Sequence, residues 1–125
     1  MSGSPTASIM AGMTGEKTWT LSREHTVNRM GRPGADVLST PSMILLMEMA
    51  AIEAVDTRLG AGFATVGFHV DVKHFGAAVL GSRVTARAEV TAVDGNKIAF
   101  KVAAFVDDRK IGEGTHRRAA VSTAA

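Results

Sequence analysis

Thr40 to Ala51 reads TPSMILLMEMAA. From Met43 to Ile52 every residue is apolar except Glu48. The start carries helix-initiating chemistry: Thr40 is a good N-cap, and Pro41 suits the first helical position, where its missing N–H costs nothing. Helix formers continue to Leu59, and Gly60 and Gly62 end the run. The first half is apolar around most of its circumference, so this helix should be buried on nearly all sides. Glu53, Asp56 and Arg58 mark a wetter second half. Glu48 is the anomaly. A carboxylate in apolar surroundings costs several kcal/mol unless it is paired or neutralised. It must therefore face water, fill a structural role or do chemistry.

The segments around the helix read as strands. Lys17 to Val27 (KTWTLSREHTV) places Trp19 and Leu21 on one face and Thr18, Thr20 and Ser22 on the other. Asn28 to Asp36 (NRMGRPGAD) is a glycine-rich loop. Phe63 to Phe75 is a long strand with Gly67 as a bulge position. From Ser82 to Val93, Val84, Ala86, Ala88 and Val90 point inward, alternating with Arg83, Thr85, Arg87 and Glu89. Asp94-Gly95-Asn96 is a hairpin turn, and Lys97 to Val106 pairs back with Ile98, Phe100, Val102 and Ala104 on one face. A turn at Asp107 to Arg109 leads to a last strand, Lys110 to Val121. The order is strand, loop, helix, four strands. One sheet of this size needs its apolar face covered, and the helix is apolar enough to be what it wraps. The fold class is α+β: a hotdog fold, an antiparallel sheet around one long central helix.

The chain of 125 residues suits one domain, assigned to 17–122, with 1–16 read as a flexible N-terminal leader. A hydrophobic share of 46% supports a packed core and excludes a disordered chain. The net charge of +2 fits a patch for an anionic ligand better than a nucleic-acid coat. The chain has no cysteine, which rules out disulfides and thiolate metal sites and agrees with a cytoplasmic location. No apolar run reaches the roughly 18 residues of a membrane span, so no membrane association is expected.

Three positions carry candidate chemistry. Thr40 sits at the helix start. Glu48 lies eight residues on, about 12 Å along the axis. His74 lies near the end of the strand after the helix. Hydroxyl, carboxylate and imidazole, with the positive potential of a helix terminus, are the parts of an acyl-transfer site. Taken singly they have plainer readings: a cap, a paired carboxylate, a strand histidine. His69 and Asp71 alternate with Gly67 on what reads as one strand face. Two such ligands without a third make a weak metal signal, and no metal is expected. His116 reads as a structural strand residue near the site. Arg83, Arg87, Lys73 and Arg117 are candidates for anionic groups of a ligand.

The segments TPSMILLMEMA (Thr40–Ala50), VGFHVDVKH (Val66–His74) and IGEGTHRRA (Ile111–Ala119) resemble the hotdog acyl-CoA thioesterases, most closely the fluoroacetyl-CoA thioesterase group. The similarity runs from about Trp19 to Val121. It implies that the family's catalytic threonine, glutamate and histidine fall on Thr40, Glu48 and His74. A glycine whose N–H contacts the acyl group falls on Gly67, and an arginine lining the site falls on Arg118. The family closes its pocket with phenylalanines before the helix; here Gly31 and Gly34 occupy those places.

The resemblance implies hydrolysis of an acyl-CoA thioester to free acid and CoA. Glu48 would act as nucleophile or as the base that activates water, His74 as general acid and base, and Thr40 as an orienting group or nucleophile. Gly67 N–H would support the oxyanion. No cofactor is needed, since CoA is part of the substrate. A homodimer or dimer of dimers is implied. The alternative is a non-catalytic acyl-CoA binding module of the same fold.

Overall fold

The computed structural model describes residues 4–124, the side chains of Arg29 and Met30 excepted. Its elements are β1 (Thr14–Thr20), α1 (Thr40–Val55), β2 (Phe63–His74), β3 (Arg83–Asp94), β4 (Lys97–Val106) and β5 (Arg109–Ser122). The five strands form one antiparallel sheet in the order β1-β3-β4-β5-β2. The single long helix lies against one face of it, which is the hotdog arrangement read from the sequence. No helix among the described residues is long and apolar enough to cross a membrane.

The alternation in the hairpin strands holds as read. Val84, Ala86, Ala88 and Val90 of β3 are buried, as are Ile98, Phe100, Val102 and Ala104 of β4. They meet Met43, Leu46, Met47, Ala50 and Ala51 of α1 in one core. The side chains over β3 are small, and the large aromatic Phe100 sits in the neighbouring strand. The helix therefore lies close to the sheet on the β1–β3 side.

Gly15 fixes how close. A Cβ at this position would collide with the backbone of Ala50 and Ala54 in the helix. Only a residue without a side chain lets α1 rest on β1 there. Gly15 belongs to the segment that the sequence assigned to a leader. The strand instead begins at Thr14, three residues earlier than read, and the chain before it lies on the domain. Ile9 is buried, Gly12 N–H bonds Val90 O, and Thr6 hydroxyl bonds Gly95 O. Residues 1–3 of the assigned leader lie outside the described residues.

Other boundaries move as well. β1 stops at Thr20, and short 3₁₀ turns at Arg23–His25 and Val27–Met30 replace the end of the long strand that the alternation suggested. The helix closes at Val55 and passes into a 3₁₀ turn, Asp56–Arg58. Its N-cap is Ser39, whose hydroxyl accepts from Ser42 N–H; Thr40 and Pro41 are the first helical residues. Two adjacent hydroxyl residues both fit the cap pattern, and the one further from Pro41 takes it. The helix is also not buried all round: Leu45 is 50% and Ile52 37% exposed, and both lie on one stripe with Glu48 and Met49.

Gly15→Val should cost about 2–3 kcal/mol by overpacking. The urea midpoint should fall at unchanged slope. An unaltered midpoint would show that the helix does not rest on β1 at this point.

Candidate functional site

The inner face of β2 and one flank of α1 form a groove, and the functional candidates lie along it. The helix start presents Thr40. With Ser39 serving as cap, the Thr40 hydroxyl is free to bond elsewhere, and it meets His74 Nδ1 at 2.8 Å. His74 is the last residue of β2. Thr40 is exposed and His74 half-buried, so this pair opens to solvent.

Glu48 belongs to a second cluster further along the groove. Its Oε2 accepts from Arg118 Nη1 at 3.2 Å and lies 3.8 Å from His116 Nε2. Its other oxygen, Oε1, makes no hydrogen bond among the described residues. The side chain is 31% exposed, so it is paired at one oxygen and reachable at the other, not sealed in apolar surroundings. Gly67 makes room for it: a methyl there would sit 2.5 Å from Glu48 Oε2 and 2.9 Å from His116 Cε1.

The bulge in β2 shapes this cluster. Gly67 pairs with Arg118, the next paired residue is His69 with Arg117, and Val70 pairs with His116. Phe68 is the extra residue. Gly67 and Val70 therefore share the inner face with the buried Arg118 and His116. His69 and Asp71 lie on the outer face with Arg117 and Thr115. The single face inferred for Gly67, His69 and Asp71 is thus divided by the bulge. Among the described residues no group of three or more His, Asp or Glu side chains gathers as a metal site would.

Arg118 is 4% exposed, and each of its nitrogens is engaged. Nε donates to Thr65 Oγ1 at 2.8 Å and Nη2 to Thr65 O at 2.9 Å, while Nη1 faces Glu48 and His116. Thr65 hydroxyl in turn donates to Asp56 Oδ1 at 2.6 Å, and Thr65 N–H donates to Asp56 Oδ2 at 3.2 Å. His116, 2% exposed, closes the other end with Nδ1 at 2.8 Å from His69 O. A carbonyl can only accept, so Nδ1 carries the proton. In the neutral ring Nε2 then has a lone pair, which accepts from Arg118 Nη1 at 3.2 Å. Burial pushes the His116 pKa below its usual value of 6.5, and the nearby Arg118 charge adds to the effect against the His69 carbonyl and Glu48. The ring is neutral, and its approach to Glu48 is not an ion pair.

The structure thus joins Thr40 to His74, and joins Glu48 to Gly67, Arg118 and His116. No hydrogen bond or ion pair among the described residues connects the two clusters. They are about 12 Å apart along the helix and, from Gly67 to His74, roughly 20 Å apart along the strand. The sequence reading set His116 aside and missed Asp56 and Thr65. The alternation of His116, Arg118 and Ala120 inward was available as a signal; the 3₁₀ turn that places Asp56 was not.

A narrow crevice, too tight for a water molecule, runs beside Glu48 between Ile44, Met47, Val70, Val72, Val102 and His116. A hollow of about 440 Å³ lies elsewhere, between β1 and the β3–β5 strands and lined by Arg87, Lys101 and Lys110. Those cations are already paired with Glu16, Glu89 and Glu113, so it offers little to an anionic ligand.

The neutral His116 makes stability pH-dependent. The unfolded chain binds a proton at this residue below about pH 6.5, and the folded chain resists it until its lowered pKa is reached. The stability this residue contributes is full above that window and declines as pH falls through it. His116→Asn should be less stable than the parent at about pH 8 and should lose less on acidification to about pH 5.5. Parallel declines in urea midpoint would contradict the neutral assignment.

Comparison with known proteins places this chain in a family. The model of the fluoroacetyl-CoA-specific thioesterase family FlK matches residues 21–124. The fluoroacetyl-CoA thioesterase of Streptantibioticus cattleyicolor is 35% identical over 86 residues; these span 69% of this chain and 62% of that protein. A crystal structure of an FlK variant in complex with fluoroacetate and CoA superimposes with a TM-score of 0.83 at 28% identity, covering 91% of this chain and 96% of the other. A hot-dog-like protein from Thermanaerovibrio acidaminovorans gives a TM-score of 0.85 at 27% identity, covering 94% of this chain and 87% of its own. The chain belongs to the FlK family of fluoroacetyl-CoA-specific thioesterases.

Proposed function

We propose that this protein hydrolyses acyl-CoA thioesters and that its working unit is a dimer. The observation that carries the proposal is Glu48: Oε2 is held by Arg118 beside Gly67, while Oε1 makes no hydrogen bond among the described residues, in a groove with apolar walls. A carboxylate fixed at one oxygen and free at the other is an oriented base. Kinship with a protein crystallised with fluoroacetate and CoA supplies the substrate class.

In this reading water attacks the thioester carbon and gives its proton to Glu48 Oε1. The developing oxyanion is stabilised by backbone N–H at Gly67. The intermediate then expels CoA as thiolate, which takes a proton from His74, oriented by Thr40. Arg118 lines the site through its hold on Glu48. No cofactor takes part. A cytoplasmic setting belongs to the same proposal, as the place where CoA esters are met. Gly31 and Gly34 are exposed at φ of 89° and 84°, and no aromatic ring covers the groove from these positions. The proposed substrate class is therefore acyl-CoA broadly, without fluoroacetyl selectivity.

The distance between the two clusters supports the dimer. β2 is an edge strand, and Val66 and Phe68 are each 48% and Val70 40% exposed on it. Leu45 and Ile52 are exposed apolar residues of the helix as well. An open apolar edge is a template for pairing with a second strand. Antiparallel pairing with a second copy, centred near Val70, lays His74 beside the partner's Gly67. Each Thr40–His74 pair then faces the Glu48 cluster of the other protomer, and the site is completed by both chains.

Release of free CoA thiol from a panel of acyl-CoA esters is the direct test. Glu48→Gln should keep the fold and lower kcat/KM on the order of a hundredfold or more. A binding module would instead release no thiol from any ester while CoA esters raised its Tm. An acyl group trapped on Glu48 would replace the water route with nucleophilic attack.

Leu45→Asp should convert a dimer into a monomer by light scattering and abolish turnover with it. A monomeric parent chain with full turnover would remove the shared site.

A further inference from the structure

Asp56 is misplaced by ordinary helix electrostatics. It caps the C-terminal end of α1, where the helix presents free carbonyls and a negative potential that disfavours a carboxylate. What it gains there is Thr65. The hydroxyl and the N–H of Thr65 both donate to it, at 2.6 Å and 3.2 Å.

The direction of these bonds matters more than their number. Thr65 hydroxyl has one proton, and Asp56 Oδ1 takes it. The hydroxyl oxygen is left as a pure acceptor, turned toward Arg118 Nε at 2.8 Å. Thr65 O accepts Nη2 at 2.9 Å. A guanidinium is planar, so fixing Nε and Nη2 fixes the direction of Nη1 as well. Nη1 is the group that holds Glu48 Oε2. Thr65 is 6% and Arg118 4% exposed, so water does not substitute for either bond.

We propose that Asp56 and Thr65 are positioning residues for Glu48, acting through Arg118 without touching the substrate. This rests on the reading of Glu48 as the reacting carboxylate. The carboxylate of Asp56 sets the polarity of the Thr65 hydroxyl, and the hydroxyl sets the plane of the guanidinium. That plane decides which oxygen of Glu48 is tied and which is free. Asparagine at 56 does not reproduce the arrangement. Whichever way its amide turns, its NH₂ faces either the Thr65 N–H or the Thr65 hydroxyl. The first sets donor against donor, and the second occupies a lone pair of the hydroxyl and takes away the acceptor that orients its proton.

The test measures kcat, KM and Tm for the full chain with an acyl-CoA that the parent cleaves. Thr65→Val keeps the shape and removes the hydroxyl. It should lower kcat on the order of tenfold with little change in KM, since misplacing a reacting group acts on turnover more than on binding. Thr65→Ser should restore kcat. Combined with Glu48→Gln, Thr65→Val should lower kcat no further, because its effect passes through Glu48. A merely structural role would lower Tm and leave the combined effects multiplicative. If Thr65→Val does not fold, Asp56→Asn takes its place with the same expectations. A folded Thr65→Val with parental kcat overturns the positioning role and leaves the hydrolase reading intact. So does an undiminished Thr65→Val effect in the Glu48→Gln background. A parent chain that releases no thiol, or a Glu48→Gln variant with parental kcat, overturns the reading of Glu48 and the positioning role with it.

Discussion

A guanidinium buried in a small sheet protein has to be satisfied at every nitrogen, or the fold bears a large desolvation cost. Arg118 meets that demand by drawing on several elements at once. Thr65 comes from β2, Glu48 from the middle of α1, His116 from its own strand, and Asp56, through Thr65, from the end of α1. On the β1 side the helix is held by close apolar packing over Gly15. On the β2 side it is held by this polar network beside a crevice. The two flanks differ in kind. The apolar flank supplies most of the stability, since buried ion pairs add little of it. The polar flank supplies orientation, because a planar fork with fixed partners leaves Glu48 few alternative positions.

The same network explains why a carboxylate can lie in the run MILLMEMAAI. The helix pattern alone presented Glu48 as an unpaired charge among apolar residues. Its partner stands seventy positions away in sequence and is brought within 3.2 Å only by the order β5-β2 at the sheet edge. Strand alternation was legible because β3 and β4 each bury one face and their side chains have only two directions to choose from. The cap was half legible: Ser39 and Thr40 carry equivalent hydroxyls, and the choice between them rests on backbone geometry. It has a consequence, since Ser39 as cap is what releases the Thr40 hydroxyl for His74. The segment around Gly15 was misread because TGEK looks like solvent-facing chain. Its value lies in a missing side chain, which shows only against the helix it meets. The bulge at Phe68 was foreseen through Gly67, but its effect on phase was not: one extra residue moves His69 and Asp71 to the outer face.

The edge at β2 is where the single chain leaves backbone groups open. The free edge of β2, the exposed Val70 on its inner face and the unbonded Oε1 of Glu48 lie along the same groove. The spacing of the chemistry agrees. Glu48 beside Gly67 and His74 at the far end of the same strand stand too far apart to meet at one carbonyl within a protomer, and this spacing is what the proposed twofold pairing of that strand would resolve. The network around Arg118 then acquires a further reason to be rigid. In a site closed by two chains, each protomer must present its carboxylate already aimed, because the partner contributes the opposing group and cannot correct the aim.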